Sequence, residues 1–238
     1  MRINGKKILF GLFLYIIGWN SVSAATVFQD DFTRADSATL GNDWVEQLST
    51  VGSISSNKLL IASTVSAGYN QNRTSRPLTE RFQNQTVSAE FSYGTSSGTT
   101  GLVFRTQAVS GNLTGYATSF SWSGTTLGVS RLNNGTNNAI TGGSMTLAQS
   151  INTSHTYRLT ASATGINPTT ITITLHDVTT DTQAGTLTVT DSFAGLQTTG
   201  TVGIYHNGIG ATVYADNFTY SADDYNPVTY TTIPISNS

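Results

Sequence analysis

Two acidic side chains sit in matching frames far apart in the chain, Phe28-x-Asp30-x-Phe32 and Tyr214-x-Asp216-x-Phe218. Residues i and i+2 of a β-strand point the same way, so each carboxylate is expected on the face that its aromatic neighbours bury. Three ways of satisfying such acids fit the sequence. Backbone or turn N–H groups can bond them, or Arg34 can offer a forked guanidinium. Alternatively Asp30 and Asp216 hold calcium, which takes hard oxygen ligands, with Asp31, Asp36, Asn42, Asp43 and Asn217 as further donors. Two acids are few against the roughly 6–8 oxygens calcium usually takes. Calcium is the single cofactor the sequence suggests.

A second pattern is aromatic. Tyr116, Phe120 and Trp122 alternate with Ala117, Ser119 and Ser121. A row of rings on one strand face could stack on the apolar faces of sugars, since flat aromatic surfaces suit such partners. The same row could equally fill the interior of a sandwich.

Other chemistries lack their residues. His155, His176 and His206 are scattered, with no spacing that suggests zinc, and are expected at the surface or at pocket edges. No Gly-x-Ser-x-Gly elbow exposes a nucleophilic serine. There are six Asn-x-Ser/Thr sequons, at Asn72, Asn84, Asn112, Asn134, Asn152 and Asn217. Asn134, in a turn, suits modification best and Asn217, in a strand, least.

The elements that must carry these residues are strands. Val87, Ala89, Phe91 and Tyr93 alternate with polar residues, as do Tyr157, Leu159, Ala161 and Ala163. Ile171, Ile173 and Leu175 against Thr172, Thr174 and His176 give the clearest period of two. Leu187 and Val189, then Val202 and Ile204, repeat it. Threonine is stiff and tolerates water, so it suits the outer face of a half-exposed sheet. Gly- and Asn-rich turns separate the runs, among them Asn133 to Asn138, Gly142-Gly143, Asn167-Pro168 and Asn207-Gly208. No run has helical spacing. The pattern predicts an all-β fold, about a dozen strands in two antiparallel sheets packed face to face as a jelly-roll sandwich.

Composition narrows the partners. The 238 residues carry a net charge of −2, and only 10% are charged. No basic stripe could neutralise phosphates, so no nucleic-acid partner is expected. Cysteine is absent, and a chain of this length can bury a core without staples.

Arg2, Lys6 and Lys7 precede an apolar run from Ile8 to Trp19, followed by the small residues Val22-Ser-Ala-Ala25. The run is shorter than the roughly 18 residues of a membrane span. Residues 1–25 are therefore expected to be a cleaved signal peptide, which makes the protein secreted or cell-surface with no span remaining. Residues 26–222 form the predicted sandwich. Residues 223–238 form an extended, Thr-rich tail, either a frayed end or a strand seeking a partner.

Several short motifs fall in a telling order: Phe28-Gln-Asp-Asp-Phe-Thr-Arg34, Leu40-Gly-Asn-Asp-Trp44, Gly101-Leu-Val-Phe-Arg105, Gly115-Tyr116, Tyr157-Arg-Leu159, Gly200-Thr-Val-Gly-Ile204 and Val213-Tyr-Ala-Asp-Asn-Phe218. In this order the chain from Val27 to Tyr220 resembles the concanavalin A-like lectin/glucanase superfamily, in particular its LamG-like bacterial domains. The resemblance implies that the first and last strands lie side by side, which would bring Asp30 and Asp216 together. It also implies a carbohydrate-binding concave face, with Arg105 and His206 beside Tyr116, Phe120 and Trp122 in a glycan groove. The Glu-x-Asp-x-x-Glu run of the superfamily's hydrolases is missing, and Gly203-Ile-Tyr-His206 only faintly echoes its alginate lyases. Retaining hydrolysis needs two carboxyl groups about 5–5.5 Å apart, and none of Glu46, Glu80 and Glu90 stands in such a pair along one strand.

The sequence thus predicts a secreted, non-catalytic β-sandwich that binds glycans or mediates adhesion at a cell surface or matrix. One alternative is a self-assembling subunit of a fibre or surface layer, joined through the tail Val228-Thr-Tyr-Thr-Thr-Ile-Pro-Ile235. Another is a polysaccharide hydrolase or lyase.

Overall fold

The computed structural model describes residues 24–46, 52–62, 73–75, 80–95, 98–109, 112–195, 198–208 and 210–223. The expected signal segment up to residue 23, the sequon at Asn72 and the tail from residue 224 lie outside them.

Fifteen strands and no helix occur among the described residues. They are β1 (Ala25–Asp30), β2 (Val45–Glu46), β3 (Gly52–Ser55), β4 (Lys58–Ala62), β5 (Arg73–Ser75), β6 (Gln85–Thr95), β7 (Thr99–Val109), β8 (Asn112–Ser121), β9 (Thr126–Asn133), β10 (Thr136–Thr146), β11 (Thr156–Thr164), β12 (Thr169–Asp177), β13 (Thr182–Asp191), β14 (Thr201–Asn207) and β15 (Thr212–Ala222). They form two antiparallel sheets. One runs β13-β12-β11-β6-β15-β4-β3, with β1 also on β15, and the other runs β10-β9-β8-β7-β14-β5-β2. The protein is an all-β, two-sheet sandwich of jelly-roll type, as the alternation predicts.

The alternating runs face the way their pattern requires. Val87, Ala89, Phe91, Leu159, Ile171, Ile173 and Leu175 are fully buried against the second sheet. Their threonine neighbours point outward and satisfy one another across strands. The hydroxyls of Thr172 and Thr188 are 3.0 Å apart and those of Thr174 and Thr186 3.1 Å apart. Asn134 and Gly135 have φ values of 48° and 80°, the paired positive values of a tight hairpin between β9 and β10.

The two ends of the described chain meet. β1 pairs with β15 from Ala25↔Ala222 to Asp30↔Phe218. The other edge of β15 pairs with β6 along its length. On the β1 side, the first part of β15, Thr212–Ala215, pairs with β4 instead. β15 therefore passes from one neighbour to the other at Asp216-Asn217. There Asn217 takes a φ of 48° and the register against β6 shifts. The extra residue of a bulge reverses the phase of alternation. Val213 and Ala215 are buried before it, and Phe218, Tyr220 and Ala222 after it.

A polar cleft where the last strand changes neighbours

The handover in β15 opens a cleft of about 450 Å³ lined by Gln29, Asp30, Asp31, Arg34, Asn42, Asn217, Phe218 and Thr219. Beneath it lies an aromatic cluster. The Trp44 ring packs edge-on against Phe28 and Phe218, with centroids 5.8 and 4.9 Å away, and beside Phe32 at 5.7 Å. A buried indole needs a partner for its N–H. Trp44 Nε1 donates to Asp30 Oδ2 at 2.8 Å.

Asp30 is the hub. Its Oδ1 accepts from the Phe32 backbone N–H and from Arg34 Nη1, both at 2.8 Å. Its Oδ2 accepts from Arg34 Nη2 at 3.2 Å and Asn42 Nδ2 at 3.0 Å, besides Trp44. Arg34 Nε and Nη2 also donate to the Leu40 carbonyl, at 3.1 and 2.8 Å. One carboxylate thus ties strand β1, Arg34 and the 40–44 turn into a single wall. Burial alone would raise this carboxyl. The donors from Arg34, Trp44, Asn42 and Phe32 outweigh it and hold Asp30 below the ordinary carboxylate range.

This placement corrects the expected meeting of two acids. Asp30 is buried, as its aromatic frame implies. Asp216 is not on the buried face of β15, because the bulge separates it from Phe218. Its register partner on β6 is Glu90. Burial raises the Asp216 carboxyl, with Glu90 and Asp31 adding to the effect and the Asn217 N–H and Lys58 opposing it. Asp30 turns inward and Asp216 outward, and five donors already occupy the Asp30 oxygens. Of the three ways to satisfy Asp30, the backbone bond and the Arg34 fork are the ones observed. Among the described residues no group of three or more acids, histidines or cysteines could hold a metal.

The aromatic row lies in the interior. Tyr116, Phe120 and Trp122 are 2%, 1% and 2% exposed. Tyr116 stacks on Phe104, and Phe120 packs against Phe91, Trp122 and Tyr157. The rings fill the space between the sheets, the second of the two readings their spacing allowed. Burial, reinforced by Asp191, pushes the Tyr116 phenol up to about 12.

Arg105 and His206 are buried too, and they do not stand together. Thr106 pairs with Thr201, whereas His206 pairs with Thr100, so the two sites lie toward opposite ends of the β7–β14 pair. Five residues of strand, on the order of 17 Å, separate them. Arg105, with a φ of 47°, turns into a bulge. It donates to the Gln83 carbonyl at 2.6 Å, Thr169 Oγ1 at 3.0 Å and the Gly165 carbonyl at 2.9 Å. His206 Nδ1 lies 2.8 Å from Thr100 Oγ1, which also accepts the Trp122 indole N–H at 2.7 Å. His206 is fully buried rather than at a pocket edge, and burial pushes its imidazole down to about 4. His155 instead pairs with Asp177 at 2.6 Å, and His176 with Asp181 at 3.0 Å.

The sequons differ in setting. Asn134 is exposed in its turn. Asn84 accepts the Gly165 N–H at 3.1 Å, and Asn152 contacts His155 Nε2 at 3.0 Å. Asn112 opens β8, and Asn217 Nδ2 donates to Glu90 Oε2 at 2.9 Å.

Sequence reasoning missed one further buried polar cluster. Arg131 Nε donates to Asp191 Oδ2 at 2.9 Å, Tyr116 Oη donates to the same oxygen at 3.2 Å, and the guanidinium lies 4.4 Å over the Phe193 ring. Sixty residues separate Arg131 from Asp191, so no local spacing signals the pair.

No protein-family model matches the chain, and no curated protein matches it in sequence. Solved structures do match in fold. A GH43 protein from Bacillus licheniformis is 18% identical with a TM-score of 0.54, over 82% of this chain and 39% of that one. An alginate lyase solved with an alginate tetrasaccharide is 9% identical with a TM-score of 0.52, over 82% and 96%. A protein of unknown function with a galectin-like fold from Bacillus subtilis is 12% identical with a TM-score of 0.51, over 83% and 96%. The chain spans about two fifths of the GH43 protein. At these identities the likeness is one of fold: a β-sandwich also found in proteins that handle carbohydrate. No helix among the described residues is long and apolar enough to cross a membrane.

Proposed function

We propose that this protein is a secreted, non-catalytic β-sandwich of the concanavalin A-like kind that binds glycans, or mediates adhesion through them, at a cell surface or matrix. The cleft beside β1 and β15 is the proposed site. The observation that carries the reading is its lining of amide, carboxylate, guanidinium and hydroxyl groups on a wall that Asp30 makes rigid. Sugar hydroxyls both donate and accept, and such mixed planar groups bond them in pairs. Preorganised polar groups lose little entropy on binding. Phe218, the one aromatic of the lining, is buried and offers no stacking platform, so the affinity is modest, a Kd on the order of 0.1–1 mM.

Affinity electrophoresis through gels containing polysaccharides tests this. Retardation by at least one glycan is expected, weakened about tenfold in the double variant Gln29→Ala, Asp31→Ala, whose residues are exposed. Absence of retardation by every polysaccharide, with or without calcium, would remove the reading. Full retardation of the double variant would move the site elsewhere.

Self-assembly is the second reading. Strand β10, at the end of its sheet, carries neither charge nor proline over Thr136–Thr146, and such residues usually guard edges. A bulge between Ala139 and Ser144 interrupts that edge, which ranks this reading below the first. Polymers that vanish on deletion of residues 223–238 would support it.

A further inference from the structure

We infer that the cleft is tuned to neutral glycans and turns away uronates and sulfated sugars, an inference that rests on the glycan reading of the same cleft. Two independent features carry it. The first is charge. The wall from residue 30 to residue 44 holds Asp30, Asp31, Asp36 and Asp43 against the lone cation Arg34. The fork of Arg34 is committed to Asp30. Beside the cleft, on β15 and the adjoining β6, stand Asp216 and Glu90 with Lys58 and Arg158 as counter-charges, and Arg158 is committed to Glu90 at 2.5 and 3.1 Å. Six carboxylates in or near the cleft are therefore set against three cations, two of which are already paired. The effect of Asp31 and Glu90 on Asp216 places all three in one electrostatic field.

The second feature is hydrogen-bonding polarity. Asp31 Oδ1 accepts the Thr33 N–H, and Asn217 gives one of its two amide hydrogens to Glu90. Asp31 therefore offers the cleft only oxygens, and Asn217 keeps its carbonyl oxygen beside one remaining N–H. Gln29 and Thr219 add groups that can either donate or accept. A neutral sugar offers hydroxyl hydrogens to such a rim. A carboxylate or sulfate is acceptor-only and finds no hydrogen to accept on Asp31.

Parallel electrophoresis at low salt, through a neutral β-glucan, mannan or fructan and through alginate or polygalacturonate, separates the possibilities. Retardation is expected in a neutral gel, with affinity for uronates at least about tenfold weaker and the gap narrowing as salt rises. Asp216→Asn and Asp43→Asn, which change charge outside the lining, should narrow the gap and leave neutral binding as it was. Uronate binding equal to or stronger than neutral binding would overturn this inference while leaving the glycan reading standing. Silence in every gel would overturn both.

Discussion

Asp216 and Phe218 are two residues apart on β15 and face opposite sides of the eight-stranded sheet. Phe218 is buried against Trp44 with their rings 4.9 Å apart, whereas Asp216 stands on the outer face opposite Glu90. Asn217, with its left-handed φ of 48°, absorbs the extra residue. Were the strand regular, the acid and the ring would share a face, and the cleft would not open beside them.

That backbone conformation makes the first prediction. Asn217→Gly and Asn217→Val both lose the bond to Glu90, so their difference isolates the backbone. A β-branched residue in the left-handed region costs about 1–2 kcal/mol. Urea denaturation should show the valine variant less stable than the glycine variant by that amount. Equal midpoints would mean that the bulge does not constrain this position.

Asp30 concerns stability more than chemistry. Asp30→Ala strands a half-buried guanidinium and a buried indole N–H. Removing one partner of such a pair costs about 3 kcal/mol or more. For a domain near 200 residues, this should lower Tm by roughly 9 °C. Scanning calorimetry checks it. A shift of 1–2 °C would show that the fork adds little.

His206 sets an acid limit. Its imidazole titrates near 4 in the folded protein and near 6.5 when unfolded. Between those values the unfolded chain binds the extra proton. The stability due to neutral His206 is complete above about pH 6.5, falls as the pH drops, and is lost below about pH 4, a loss of about 3 kcal/mol. Asp30, Asp177 and Asp191 have lowered carboxyls. Their contributions hold above the ordinary carboxylate range and fade as pH falls through the lowered values. Chemical denaturation at pH 7 and pH 4.5 should show the histidine loss in the parent and little of it in His206→Gln.

Tyr116 should titrate late. Burial pushes its phenol up to about 12, above the ordinary value of 10. A spectrophotometric titration should show a late tyrosine absent from Tyr116→Phe. That variant also gives up the bond to Asp191, about 1 kcal/mol of stability. A titration curve unchanged by the substitution would contradict the burial.

Much of this molecule was legible in order along the chain. Period-two runs such as Ile171, Ile173 and Leu175 required sheet, and their threonine partners required one wet face. The aromatic frame of Asp30 placed its carboxylate inside, and Arg34 was close enough in sequence to be named as a partner. Asp216 looked equivalent because spacing reports a side chain's direction only while the strand is regular. A one-residue bulge is invisible to that reading.

The amino-acid order by itself determined the strands, the buried identity of Asp30 and the scarcity of charge, since each follows from local alternation or composition. Only the tertiary structure decided that Tyr116, Phe120 and Trp122 turn inward, that Arg131 meets Asp191, and that the ends of β1 and β4 leave a gap beside Asn217. The physical reason is that each of these depends on which strands become neighbours. Pairing between distant segments is chosen by the packing of the whole sandwich, and no local spacing records it.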